Sequence, residues 1–238
     1  MNSIKGLIFD YGGTIDTNSV HWSEVLWDGY RAAGIDVSKE HFREAYVQGE
    51  RTLASQPLVR PEHTMLDLLR IKVDVETQFL MENGQWKMDN EPLEPKGKTE
   101  AVARYCYDHV LHVLETSREV LRQLAERYPM VLVSNFYGNI HSILCDFNLE
   151  LFQAVVESAV VGIRKPDPRI FQLGVEALGL KPSEVAVVGD SYSKDIIPAA
   201  SLGCQTMWLR GRGWGDEEDD ESLPTAIITN IKDLLLLL

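Results

Sequence analysis

Short apolar runs alternate with amphipathic stretches along the second half of the chain. Each run is short and bounded by polar or turn residues, as buried strands are. These runs lie at 130–133, 154–156, 185–188, 205–209 and 226–229. Apolar spacings of three and four, typical of helices, occur between them at 117–124, 141–147, 167–178 and 195–202. Strands that alternate with helices predict a Rossmann-like α/β fold, in which a parallel sheet carries helices on both faces.

One more apolar run stands near the amino terminus and ends in a carboxylate. Residues 6–9 are predicted to form a strand, Asp10 follows them, and the pair Gly12 and Gly13 comes next. Open parallel sheets bind their ligands at the carboxyl ends of the strands. Two glycines allow a sharp turn there and a close approach of the backbone to a ligand. Asp10 is therefore predicted to lie at a ligand site.

About 100 residues with helical periodicity separate the first strand from the second. Helices are predicted at 21–33, at 39–47 after the N-cap Ser38, at 63–80 as one helix or a pair, and at 101–114, with a loop at 89–98. A crossover between parallel strands needs far less chain. We therefore predict an all-helical domain at 17–116, inserted into an α/β core made of residues 1–16 and 117–238. The alternative is that the extra helices pack on one face of the sheet.

Composition and charge narrow the class of protein. The chain has 238 residues and a net charge of −13, and 45% of its residues are hydrophobic. Such a chain can bury a full core, but its acidity disfavours nucleic acids and anionic membranes, which attract clustered lysine and arginine. No apolar run approaches the roughly 20 residues that span a bilayer, and the amino terminus lacks a signal-peptide pattern. We expect a cytoplasmic protein without a nucleic-acid or membrane partner.

Two groups of residues with reactive or metal-binding side chains are expected to be structural. The three cysteines, Cys106, Cys145 and Cys204, have neither disulfide-framework nor metal-site spacing, so we expect buried, reduced thiols. The acidic cluster at 216–221 lacks the glycine and spacing of a calcium loop, so we expect a solvated loop.

Polar side chains follow two further strands and precede one helix. Ser134 and Asn135 follow the run at 130–133, Asp190 follows the run at 185–188, and Asp195 comes five residues later. Lys165 stands just ahead of the helix at 167–178. A parallel sheet brings its strand ends to one edge, so these residues can converge on Asp10. Carboxylates crowded together call for a cation, and Mg²⁺ is the usual one in phosphate sites.

This arrangement resembles the motifs of the haloacid dehalogenase-like (HAD) hydrolases, which are mostly magnesium-dependent phosphatases. The residues that match those motifs in order and strand context are Asp10, Ser134, Lys165, Asp190 and Asp195. The resemblance implies that Asp10 is the nucleophile and forms an aspartyl-phosphate. It implies that Mg²⁺ is held by Asp10, the backbone carbonyl of Gly12, Asp190 and Asp195, the last directly or through water. It assigns phosphate binding to Ser134, Asn135 and Lys165, and it implies a helical cap after the first strand.

The first motif departs from that family pattern. Family phosphatases have a second aspartate as general acid/base where this chain has Gly12, which still offers a carbonyl to a metal. The substrate then needs a good leaving group, or hydrolysis is vestigial, or another residue supplies the proton. Candidates for that residue are Asp16, His21 and Glu24. General acid/base catalysis is worth about 10²–10⁴-fold, so the difference is large.

Two other activities occur in relatives that lack the second aspartate. Haloacid dehalogenases work without a metal, and the retained Asp190 and Asp195 argue against that activity. Phosphonate-cleaving members use a cap lysine, and Lys39 would be its counterpart by its position in the early part of the helical segment.

We therefore predict a Mg²⁺-dependent phosphohydrolase acting on a small phosphorylated metabolite. The alternatives are a catalytically weak protein that binds a phosphorylated ligand or a partner, and a phosphonate-cleaving relative. Trp22, Trp27 and Tyr46 either line the substrate pocket or belong to the core. The sequence leaves the substrate and the oligomeric state open.

Overall fold

A single six-stranded parallel sheet organises the molecule, as a computed structural model that describes residues 3–86, 95–211 and 219–238 shows. The strand order is β3-β2-β1-β4-β5-β6, and every neighbouring pair is parallel. The strands are β1 (Gly6–Phe9), β2 (Met130–Ser134), β3 (Ala154–Glu157), β4 (Val185–Gly189), β5 (Gln205–Leu209) and β6 (Ala226–Ile228). All six strands predicted from the sequence are confirmed. The strand order places β1 between β2 and β4, the two strands whose ends carry the other candidate site residues.

The described helices number nine. They are α1 (Trp22–Ala32), α2 (Lys39–Ser55), α3 (Met65–Glu82), α4 (Pro95–Ala125), α5 (Ile140–Asp146), α6 (Ser158–Val161), α7 (Arg169–Leu178), α8 (Ile197–Ser201) and α9 (Leu234–Leu237). The region at 63–80 is one helix, α3, whose start is fixed by a reciprocal capping box between Thr64 and Asp67.

Successive residues of strands β1 to β4 pack into two different cores. Ile8 packs with Val133 of β2 and Phe171 of α7 in one core. Leu7 and Phe9 point to the opposite face and join a larger core that includes residues of α1 to α5. The period of two along a strand explains this division. Helices therefore cover both faces of the sheet, as the sequence predicts.

The segment between β1 and β2 is helical, and α4 is its longest element. Helices α2 and α3 pack on each other, and α4 contacts both α3 and α1. The predicted loop at 89–98 is wrong for residues 95–98, which begin α4 with a proline that needs no N–H partner; residues 89–94 lie outside the described part. Residues 98–125 contain no glycine or proline, so α4 continues through the predicted boundary at 116/117. The division into two domains stays a prediction.

Three smaller expectations have different outcomes. Cys106 and Cys204 are buried, but Cys145 is exposed, because it lies on the outer side of the short helix α5. The helix predicted at 195–202 begins earlier, as a π-helical turn at Tyr192–Ile196, because the Ser191 hydroxyl caps it. Of the acidic cluster, 216–218 lie outside the described residues, and the exposed Glu221 pairs with Arg210.

Among the described residues, no helix combines the length and apolarity that crossing a bilayer requires.

Glu76 of α3 should make the stability of the fold depend on pH. Its side chain is fully buried and accepts a hydrogen bond from the Tyr30 hydroxyl at 3.1 Å. Burial raises the pKa of Glu76 from 4.5 to about 7. Because the folded state holds this proton more tightly than the unfolded chain, the contribution of Glu76 to stability falls as pH rises from 4.5 to 7.

We expect Glu76→Gln to raise the free energy of unfolding at pH 8 by up to about 3 kcal/mol, with a smaller gain at pH 5. The glutamine keeps a carbonyl acceptor for Tyr30 and has no charge to bury. Urea denaturation at both pH values measures the difference. Glu82→Gln, at an exposed position on the same helix, is the matched control. An equal effect of Glu76→Gln at both pH values would contradict this account.

Candidate active site

The carboxyl ends of β1, β2 and β4 bring the predicted site residues together. Asp10 follows β1, and its backbone N–H donates to the Val188 carbonyl of β4 at 3.0 Å. Ser134 ends β2, and its hydroxyl lies 3.4 Å from Asp10 Oδ1. Gly13 has a φ of +100°, and a Cβ there would lie 2.4 Å from Asp190 Oδ2. A glycine is therefore required at this position for the β1 loop to lie against Asp190.

Lys165 is the central cation of the site. Its buried ammonium donates to Asp10 Oδ1 and to Asp195 Oδ1, both at 2.6 Å. Burial lowers the pKa of Lys165, but Asp10 and Asp195 more than offset that effect and raise it above its usual value. The ammonium is therefore charged and bridges the carboxylate that follows β1 and the carboxylate in the π-helical turn after β4.

The side chain of Asn135 fixes the backbone of Lys165. Asn135 Oδ1 accepts the Lys165 backbone N–H at 2.9 Å, and Asn135 Nδ2 donates to the Lys165 carbonyl at 3.1 Å. This pair of hydrogen bonds ties the loop that carries Lys165 to the end of β2. The amide side chain thus positions the lysine.

Thr14 connects two of the acidic residues. Its hydroxyl lies 3.3 Å from Asp10 Oδ2 and 3.2 Å from Asp190 Oδ1, and it accepts the Asp190 backbone N–H at 3.0 Å. Sequence reasoning missed this residue, although it directly follows the glycine pair. Its role is to hold the loop after β1 against the loop after β4.

Three carboxylates form a compact cluster suited to a hard cation. Asp10, Asp190 and Asp195 each place one oxygen within 4.8 Å of the others. Burial, together with the charge of Asp195, raises the pKa of Asp10 to about 6, although Lys165 opposes the rise. Burial and the neighbouring carboxylates raise the pKa of Asp190 well above its usual range. Oxygen ligands at this spacing fit Mg²⁺, whose charge relieves the repulsion between them.

A cavity of about 160 Å³ opens above the carboxylates. Both the strand ends and the helical segment line it. The residues contributed by α1 to α3 and the turn before them are His21, Trp22, Tyr46, Glu50, Met65, Leu68, Leu69 and Lys72. Trp22 and Tyr46 are thus pocket residues, whereas Trp27 packs against Phe42, with ring centroids 5.2 Å apart, and belongs to the core.

An ion pair between helices α2 and α3 forms part of the cavity wall. Lys72 donates to Glu50, and the Tyr137 hydroxyl donates to Glu50 Oε2 at 2.9 Å. Burial raises the pKa of Glu50, but Lys72 and Tyr137 outweigh burial and lower it overall, so Glu50 is ionised. Sequence reasoning missed all three residues, because helical periodicity marks a buried face and not the cavity that the face borders.

Gly12 and Asp16 both line the cavity, and both lie near the Trp22 indole nitrogen. A Cβ on Gly12 would lie 3.8 Å from the Trp22 indole nitrogen, which is an ordinary contact. The buried Asp16 accepts hydrogen bonds from the Gly13 backbone at 2.7 Å and from the Trp22 indole at 3.1 Å. Burial raises the pKa of Asp16 to about 7. The Asp16 carboxyl group is therefore partly protonated at neutral pH.

The other two candidate proton donors differ from Asp16. His21 lines the cavity, but burial, Lys194 and Lys72 lower its pKa to about 4, so its imidazole is neutral at neutral pH. Glu24 is not among the described residues that line the cavity, and its carboxylate accepts a hydrogen bond from Lys39 at 3.0 Å. Asp16 is the best placed of the three.

Fold and site together define a class of protein. A parallel sheet that gathers three carboxylates, a buried lysine and a strand-end serine under a helical segment fits a hydrolase with an α/β fold. The family model for haloacid dehalogenase-like hydrolases matches residues 4–203. The chain belongs to this family of hydrolases.

Curated relatives in this family carry phosphatase names. A glyceraldehyde 3-phosphate phosphatase of Methanopyrus kandleri is 28% identical over 98% of this chain and 96% of its own length. A phosphoserine phosphatase of Thermus thermophilus is 38% identical over 36% of this chain, which spans 33% of that relative. These names support a hydrolase of the phosphatase type.

Solved structures show the same fold over the whole chain. A dehalogenase crystallised with an intermediate complex aligns over 100% of this chain and 98% of its own, with a TM-score of 0.64 and 19% identity. The putative HAD hydrolase YfnB of Bacillus subtilis, bound to magnesium, aligns over 99% of both chains, with a TM-score of 0.60 and 16% identity. At these identities the likeness concerns the fold alone.

Proposed function

We propose that this protein is a Mg²⁺-dependent phosphohydrolase that acts on a small phosphorylated metabolite through an aspartyl-phosphate on Asp10. The observation that carries the proposal is the ion pair of Lys165 with Asp10. The Lys165 ammonium donates to Asp10 Oδ1 at 2.6 Å, and Asp10 belongs to the cluster of three carboxylates. A fixed cation next to a carboxylate nucleophile suits an anionic substrate. The full-length relative from Methanopyrus kandleri, named for a three-carbon phosphate, supports a substrate of this size.

The proposed reaction has two displacements. A carboxylate oxygen of Asp10 attacks phosphorus, and the bond to the leaving-group oxygen breaks with its electron pair. Water then attacks the aspartyl-phosphate, which releases inorganic phosphate and restores Asp10. Lys165 and the Ser134 hydroxyl lie beside Asp10 and would donate to the phosphoryl oxygens, as would the backbone N–H of Asn135.

The metal site we propose consists of Asp10, Asp190, Asp195 and the backbone carbonyl of Gly12. Bound Mg²⁺ supplies positive charge that reduces the repulsion between the nucleophile and an anionic phosphate. We further propose that residues 17–116 act as a cap over this site, since they supply a large part of the cavity wall. The cytoplasmic location stays a prediction.

A phosphonate-cleaving activity has weaker support. Lys39 pairs with Glu24 and is not among the described residues that line the cavity. Lys72 does line it. Burial lowers the pKa of Lys72, but Glu50, Tyr137, Tyr46 and Glu76 together outweigh burial and raise that pKa well above its usual range. An imine requires a neutral amine, so Lys72 is not prepared to form one.

Removing the metal tests the proposed function. We expect phosphate release from acetyl phosphate and p-nitrophenyl phosphate in the presence of Mg²⁺, and a loss of at least about tenfold with a chelator. Adding back Mg²⁺ should restore the rate, and Ca²⁺ should restore it poorly because it prefers longer bonds and more ligands. Equal rates with and without chelator would leave a phosphate-binding protein as the better explanation.

A further inference from the structure

Two cations at the cavity have no ion-pair partner among the described residues. Arg164 directly precedes Lys165, and Lys194 lies in the π-helical turn that carries Asp195. Both side chains line the cavity, and both residues are exposed. No hydrogen bond or ion pair of either side chain occurs within the described part of the chain.

The other cations of the cavity are neutralised from within the protein. Lys165 contacts Asp10 and Asp195, and Lys72 contacts Glu50. His21 is neutral, because its pKa is lowered to about 4. Arg164 and Lys194 are thus the lining cations, among the described residues, whose charge is left over for a ligand.

Both charges act electrostatically on other residues that line the cavity. Lys194 contributes to the lowered pKa values of His21 and Glu50, and Arg164 opposes the rise in the pKa of Tyr137. All three residues line the cavity: His21 and Glu50 come from the helical segment, and Tyr137 comes from the loop after β2. The positive charge of Arg164 and Lys194 therefore acts within the cavity that would hold the rest of a substrate whose phosphoryl group lies at Asp10.

We infer that the substrate carries a second anionic group besides its phosphoryl group, and that Arg164 and Lys194 bind that group. This inference rests on the proposed function, which puts the phosphoryl group at Asp10. A guanidinium binds a carboxylate or a phosphate through two parallel hydrogen bonds, and an ammonium adds a point charge. A cavity of about 160 Å³ suits a substrate with a short carbon chain.

Three probes distinguish the nature of the second group. D-Glyceraldehyde 3-phosphate has an uncharged end, 3-phospho-D-glycerate has a carboxylate on the same carbon skeleton, and glycerol 1,3-bisphosphate has a second phosphate. We expect kcat/KM of the wild type to be about tenfold or more higher for one of the two doubly anionic probes than for the aldehyde. The doubly anionic probe with the higher kcat/KM identifies the carboxylate or the phosphate as the group bound.

Arg164→Gln and Lys194→Gln should each lower that preference by about tenfold, mainly through KM of the anionic probe. Arg122→Gln, at an exposed position on α4, is the matched control and should keep the preference. The inference is overturned if the wild type hydrolyses acetyl phosphate but has the same kcat/KM for the three probes. It is also overturned if the preference survives both substitutions.

Binding to the Asp10→Asn variant, measured by calorimetry, keeps the test independent of turnover. Tighter binding of 3-phospho-D-glycerate or the bisphosphate than of the aldehyde supports the inference even when no substrate is hydrolysed, in which case the proposed function alone fails. Equal binding of all three probes overturns the inference, whatever the rates on acetyl phosphate show.

Discussion

Replacing Asp10 with asparagine should lower Mg²⁺-dependent phosphate release from acetyl phosphate by about 10³-fold or more. The amide has nearly the same shape as the carboxylate, but it cannot attack phosphorus. It also removes one of the two carboxylates that hold the Lys165 ammonium at 2.6 Å. Steady-state assays with acetyl phosphate and p-nitrophenyl phosphate measure the loss, which should fall on kcat for both substrates because the same nucleophile serves both.

A loss of folding must be separated from a loss of chemistry in this variant. The substitution also removes one of three crowded carboxylates, so we expect it not to lower the midpoint of thermal unfolding by more than a few degrees. Asp108→Asn, at an exposed position on α4, is a matched control that should keep the wild-type rate. If Asp10→Asn kept a rate within tenfold of the wild type, Asp10 would not be the nucleophile, and the aspartyl-phosphate would be ruled out.

The sheet and the convergence of the site were predictable from local sequence. Each strand is a short apolar run with polar or turn residues at its ends, and a parallel sheet with helices on both faces requires such runs. Because parallel strands end at one edge, Asp10, Ser134 and Asp190 had to lie close together once the sheet was assumed. Lys165 could be placed through the resemblance to a family, since no strand ends directly before it.

The cavity wall was not predictable by the same means. Lys72 and Glu50 lie on different helices, and their pairing depends on how α2 packs on α3. A helical period assigns both residues to a helix but does not tell a buried ion pair from a solvated charge. Tyr137 joins them from the loop after β2, a contact that only the tertiary fold creates.

The continuity of α4 shows a different limit of sequence reasoning. Apolar residues mark helical faces at 101–114 and at 117–124, and the prediction treated them as two helices in two domains. The structure joins them, because nothing between them breaks a helix and both halves bury residues such as Val110 and Leu121 in the same core. Periodicity locates helical segments more surely than it locates the boundaries between them.

Placing an aspartate at Gly12 should raise kcat/KM for an alkyl phosphate such as 3-phospho-D-glycerate by about 10²-fold. The alkoxide that leaves from an alkyl phosphate needs a proton, whereas acetate and p-nitrophenolate leave without one. The structure admits the new side chain, since a Cβ at Gly12 would lie 3.8 Å from the Trp22 indole. The rate on acetyl phosphate should therefore change by less than about threefold, because its leaving group gains little from general-acid catalysis.

Gly12→Asn is the matched control, since it has the same size and cannot transfer a proton. If Gly12→Asn gave the same gain, or if Gly12→Asp raised both substrate classes equally, the effect would come from packing and not from an acid. Asp16→Asn separates the remaining alternative, in which the carboxyl group held by Gly13 and Trp22 already supplies the proton. In that case Asp16→Asn would slow the alkyl substrate selectively, and Gly12→Asp would rescue it. If Asp16 does not supply the proton, Asp16→Asn would leave the ratio of alkyl phosphate to acetyl phosphate rates unchanged. The gain from Gly12→Asp would then measure the full rate factor that general-acid catalysis contributes.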